Sequence, residues 1–92
     1  LMASYYELLN ISASWLMKKG INKKVATNYI AELFLALSQD AVNKKSQGFK
    51  KLVHDSQTPK GLNMQVLNEL RGVKFYNKFI KALESINKRV SK

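Results

Sequence analysis

The stretch from Val25 to Val42 carries apolar residues on two opposite sides of one helix, and no other feature restricts the fold so strongly. Val25, Tyr29, Ile30, Leu33, Phe34, Leu37 and Ala41 recur at three- and four-residue intervals and form one broad stripe. Ala31, Leu35 and Val42 lie nearly opposite. A helix apolar on two sides is buried on two sides. The chain has 92 residues, and one this short buries only about 60–65% of its unfolded surface. The second covering layer is therefore expected from another subunit.

The same period runs through the rest of the chain. No strand alternation, repeat, low-complexity tract or Gly/Ser-rich linker interrupts it, so the expected fold is all-α with about five helices in one small domain, residues 1–92. The first helix is expected from about Ala3 to Lys18, with Leu8, Leu9, Ser12, Trp15 and Leu16 on one face. Gly20 is its C-cap candidate, and Lys18-Lys19 complements the negative helix end. Asn22 is placed to cap the second helix, which should reach about Asn43. Gln47-Gly48 breaks the pattern, and Phe49 to Val53 leaves room for one or two turns. A fourth helix is expected from about Thr58 to Leu70, stopping at Gly72. The last should run from about Lys74 to Val90. It sets Phe75, Phe79, Ile80, Leu83, Ile86 and Val90 against Lys78, Lys81, Glu84 and Lys88. Trp15, Phe34 and the aromatic residues of the last helix are expected in the core.

Chemistry concentrates between His54 and Leu70. Thr58-Pro59 is a helix-start signal, because threonine can accept from orphan amides and proline loses nothing at the first helical position. Gly61 leaves backbone amides uncovered near that start, where the helix dipole favours an anion. Leu62, Val66, Leu67 and Leu70 should share an apolar face into which Asn63 projects. His54 is of a type that serves as a general acid, but a surface or helix-end position explains it as well. No nucleophile–base pair or paired carboxylates stand out, and no catalytic residue is expected within the chain.

Thr58-Pro59-Lys60-Gly61-Leu62-Asn63, followed by a helix through Gln65, Val66 and Leu70, resembles the Ser/Thr-Pro-Gly-Gly segment of pyrroline-5-carboxylate reductases. Leu52 precedes the motif as a leucine does in that family. Ala3 to Ile21 looks like the family's first C-terminal-domain helix, ending in Gly20-Ile21. Lys60 stands where the family usually has glycine, Leu1-Met2-Ala3-Ser4 where Gly-Pro-Ala-Tyr is usual, and Asn10 where a glutamate is common. The resemblance implies the all-α C-terminal dimerisation domain that follows a Rossmann domain. It also implies that Thr58, Lys60, Gly61 and Leu62 line the substrate's carboxylate, with Asn63 replacing a threonine near its nitrogen. Lys60 would help neutralise the carboxylate but also crowd a site shaped for glycine. The implied partners are a small cyclic imine acid and a second copy of the chain, in a homodimer or higher oligomer. NADP or NAD would be held mainly by the N-terminal domain, since no Gly-rich fingerprint occurs here.

Composition narrows the alternatives. There is no cysteine, hence no disulfide framework and no thiolate metal site, which fits a reducing compartment; the expected location is the cytoplasm. One histidine rules out most histidine-based metal clusters. Residues 1–17 are too short to span a bilayer, and no membrane partner is expected. The chain opens on Leu1-Met2 within an apparent helix, so a domain cut from a longer protein is expected. A net charge of +10 suits a polyanion, which keeps a basic helical nucleic-acid-binding module as the alternative. Only Arg71 and Arg89 are arginines, and the lysine pairs sit near expected helix ends, which weakens that alternative.

Overall fold

The first helix ends where its glycine allows it to. In the computed structural model, which describes residues 1–91, α1 spans Met2–Lys18 and Gly20 takes a φ of +99°. The Gly20 amide then donates to the Met17 carbonyl at 3.0 Å and the Ile21 amide to the Leu16 carbonyl at 3.2 Å, the paired bonds of a Schellman motif. Two residues later α2 begins, spanning Lys23–Asn43, with the Asn22 side chain accepting from the Val25 amide at 2.9 Å. Both helix signals read from sequence are thus in place.

The chain divides into two units, Leu1–Phe49 and Lys50–Lys92. In the first, α1 and α2 form a helical hairpin, antiparallel because its connection is short. Ala26 is fully buried and Ile30 nearly so, while Leu9, Ser12, Ala13, Leu16, Leu33, Phe34 and Ala41 are half-buried. The Tyr5 ring meets Phe34 edge-on, with centroids 6.1 Å apart. The covered stripe is narrower than the sequence suggested. Leu8, Val25, Tyr29 and Leu37 are exposed, and so is the opposite stripe of α2, with Leu35 at 62%. Trp15 is not a core residue: it is 59% exposed, with the Lys19 ammonium 5.7 Å from its ring centroid. Two helices meeting along one line bury only that line, and small Ala26 sets where they meet. A 3₁₀ turn at Lys45–Gln47 and Gly48, at φ +88°, close the unit.

The second unit holds α3 (Phe49–Asp55) apart from its first residue, α4 (Leu62–Gly72) and α5 (Phe75–Val90). Its half-buried residues are Leu52, Gln57, Gly61, Met64, Leu67 and Leu70. On α4 the inward face is therefore Met64, Leu67 and Leu70; Leu62 is 81% exposed and Val66 55%. Leu62 and Val66 do not share it, because at about 100° per residue they lie well round the helix from Leu67, the centre of the inward face. All of α5 is exposed, including the aromatic residues expected in the core. Phe75 and Tyr76 pack edge-on against each other at 5.3 Å. The cleanest amphipathic face in the sequence is thus only partly covered within its own unit, with Phe75 and Leu83 each 38% exposed. Among the described residues the fold is all-α, with five helices and no strand.

Candidate substrate site at the start of α4

Pro59 makes a turn here rather than opening a helix. The Gly61 amide donates to the Thr58 carbonyl at 2.7 Å, which closes a four-residue turn over Thr58-Pro59-Lys60-Gly61. Proline at the second place and a φ of +62° at Lys60 in the third are the signature of a type II turn. That third place favours glycine, because a side chain in the left-handed region costs about 1–2 kcal/mol. The family's usual glycine at this position has a geometric reason, and Lys60 accepts the strain.

Helix α4 accordingly begins after the turn. Gly61 is its N-cap, with φ −81° and ψ 166°, and no side chain caps the first amides. Thr58 is therefore not the N-cap that the Thr-Pro pair suggested, because the turn separates its hydroxyl from those amides. The sequence signal was ambiguous: proline suits the second place of a turn as well as the first place of a helix. What results is a helix start with free amides and a positive dipole end, and the Lys60 backbone is bent tightly just ahead of it.

The five residues expected at the site are consecutive apart from Pro59, so the turn and the first two helical positions hold them together. Thr58 and Lys60 are exposed and Gly61 is half-buried. Gly61 sits close against the turn, since a Cβ there would lie 2.8 Å from the Thr58 carbonyl oxygen. Leu62 stands out into solvent. The Asn63 amide nitrogen donates to the Ser56 carbonyl at 3.2 Å, so it is tied to the end of α3. Asn63 lines a shallow cleft with Leu52, Val53, Ser56, Gln57 and Leu67. The Ser56 hydroxyl and the Gln57 amide turn back onto the carbonyls of Leu52 and Val53, at 2.7 and 3.1 Å. Sequence reasoning missed this α3 contribution, because the partner of Asn63 is a backbone carbonyl that any residue would supply.

The titratable groups nearby lie on the surface. Asp55 is held below the usual carboxylate range, first by its hydrogen bond with Lys51 at 2.7 Å and then by His54 at 3.3 Å. The His54 side chain is 89% exposed. No group of acidic or histidine side chains suited to a metal ion occurs among the described residues, and none of their helices is long and apolar enough to cross a membrane. The turn and helix start thus set uncapped backbone amides, Lys60 and the Asn63 side chain side by side at the head of α4.

No curated protein and no solved structure matches the chain. The family model for pyrroline-5-carboxylate reductase dimerisation matches residues 1–92, and the chain belongs to that family.

Proposed function

We propose that this chain is the dimerisation and substrate-carboxylate-binding domain of an NAD(P)H-dependent reductase, which converts the cyclic imine acid pyrroline-5-carboxylate into proline in the cytoplasm. Family membership over residues 1–92 carries the reading. The turn and the start of α4 supply what a small carboxylate needs: uncapped amides, a dipole end and the Lys60 ammonium. Thr58, Lys60, Gly61 and Leu62 bind the carboxylate in this reading, and Asn63 faces the ring nitrogen.

Homodimer formation belongs to the same reading and rests on other surfaces. The outer stripe of α2 and the apolar face of α5 are exposed in the single chain, and a second copy of the chain covers them. The cofactor is another matter. The described residues form no strand and no Gly-rich strand–turn–helix, so they do not fit a dinucleotide, and its site belongs to a Rossmann domain of the full-length enzyme. This chain's own residues bind and orient the imine acid.

Steady-state kinetics of the full-length protein, with imine acid and cofactor varied separately, is the test. Replacing Thr58 and Lys60 by Ala should raise KM for the imine acid about tenfold or more and leave KM for the cofactor unchanged. Absence of proline formation by the unaltered enzyme, or an effect on the cofactor alone, refutes the reading.

A further inference from the structure

We infer that the tip of the α1–α2 hairpin is a docking surface for anionic lipid headgroups, on which the chain rests reversibly at a membrane. The tip carries Lys18 and Lys19 at the end of α1, and Lys23 and Lys24 at the start of α2. The exposed side chains of Trp15 and Ile21 sit among them in the chain.

Helix electrostatics accounts for only half of this charge. Cations near a helix C-terminus are favoured by the dipole, so Lys18 and Lys19 stabilise α1. Lys23 and Lys24 occupy the first two positions of α2, the positive end, where the dipole opposes them. No acidic residue sits in that first turn to offset it. The Schellman turn at Gly20 keeps the connection short, so all four ammonium groups gather at one end of the hairpin. No acidic residue occurs between Glu7 and Glu32. Those two lie roughly 16 and 12 Å from the nearest of these lysines along their helices, at about 1.5 Å per residue. Both distances exceed the Debye length of about 8 Å at physiological salt. The charge is not neutralised within the hairpin, and an anionic partner complements it.

The neighbouring side chains favour lipid over nucleic acid. A tryptophan beside lysines suits a bilayer interface, where its ring sits at headgroup level and the lysine stems snorkel outward. Nucleic acid would stack a base on the ring, yet the Lys19 ammonium already stands over it, 5.7 Å from the centroid. A bidentate grip on phosphate takes arginine, and Arg71 and Arg89 both belong to the other unit. Resting on a surface needs no spanning segment, only exposed apolar side chains and basic ones together.

Vesicle flotation and fluorescence of the chain test this, because Trp15 is its only tryptophan. Vesicles of phosphatidylcholine with about one-quarter phosphatidylserine should bind it at physiological salt and shift Trp15 emission to the blue. Vesicles of phosphatidylcholine alone should do neither. Lys23→Glu with Lys24→Glu should weaken binding about thirtyfold or more and raise the melting temperature, since acidic residues suit a helix start. Those opposite movements separate loss of the surface from loss of the fold. Lys78→Glu with Lys81→Glu, an equal charge change on α5, should leave binding within about threefold. The inference is overturned by no binding to the anionic vesicles, equal binding to both vesicles, no shift of Trp15, or equal losses in the two double variants. Duplex DNA bound more tightly than the anionic vesicles also overturns it, marking the tip as a nucleic-acid surface. Loss of the homodimer in Lys23→Glu with Lys24→Glu does so too, marking the tip as an interface between copies.

Discussion

The Thr58 carbonyl oxygen accepts the Gly61 amide at 2.7 Å and lies only 2.8 Å from the place where a Gly61 Cβ would stand. Side chains essentially never come that close to backbone, so any substitution at Gly61 must open the turn. Gly61→Ala should cost about 1–3 kcal/mol of stability and Gly61→Val more, before any ligand is considered. Denaturant unfolding of the chain checks this. A midpoint unchanged in Gly61→Ala would show that the turn relaxes freely.

Lys60→Gly should move stability and binding in opposite directions. Glycine removes a left-handed side-chain cost of about 1–2 kcal/mol but adds about 0.5–1 kcal/mol of chain entropy, a net gain of up to about 1.5 kcal/mol. It also removes the ammonium proposed to face the carboxylate. A higher melting temperature together with a higher KM for the imine acid is the expected pair, measured on the full-length enzyme. An unchanged KM would remove Lys60 from the site.

The outer stripe of α2 gives a test of assembly. Leu35 is 62% exposed in the single chain, on the side away from Ala26 and Ile30. Sedimentation at micromolar concentration should show a homodimer, and Leu35→Lys should yield a monomer that keeps the α1–α2 hairpin. A stable monomer of the unaltered chain would contradict the dimer.

Acid should loosen α3 through Asp55. Lys51 and then His54 hold its carboxyl below the usual range, so its folded value lies below its unfolded one. Stability from such a group is complete above the unfolded value, about 3.9, and is lost as pH falls through the lower folded value. Between pH 6 and pH 3, Asp55→Asn should therefore lose less thermal stability than the unaltered chain. Equal losses would mean that the pair does not influence folding.

Binding to duplex DNA should be weak and should vanish by physiological salt. The lysine pairs 18/19, 23/24 and 44/45 stand at helix ends rather than along one face, and the chain has only two arginines. Phosphate contacts without base readout behave in this way. A sequence-selective complex that survives such salt, seen by mobility shift, would favour the polyanion-binding alternative.

The sequence by itself determined the local structure. Gly20 ended α1, Asn22 capped α2, Gly48 and Gly72 marked breaks, and the helical period revealed all five helices though not the start of α4, because each of these depends on neighbours within a turn. The motif from Thr58 to Asn63 was also legible, and with it the family. Only the tertiary structure decided which apolar residues are covered. Trp15, Leu62 and the whole of α5 share the periodicity of core residues, yet periodicity says that a face is apolar and not what meets it. Tertiary structure likewise decided that Thr58-Pro59 is a turn. Proline suits the second place of a turn and the first place of a helix alike, so local propensity leaves the choice open, and the bond from Asn63 to Ser56, seven residues away, is invisible to it.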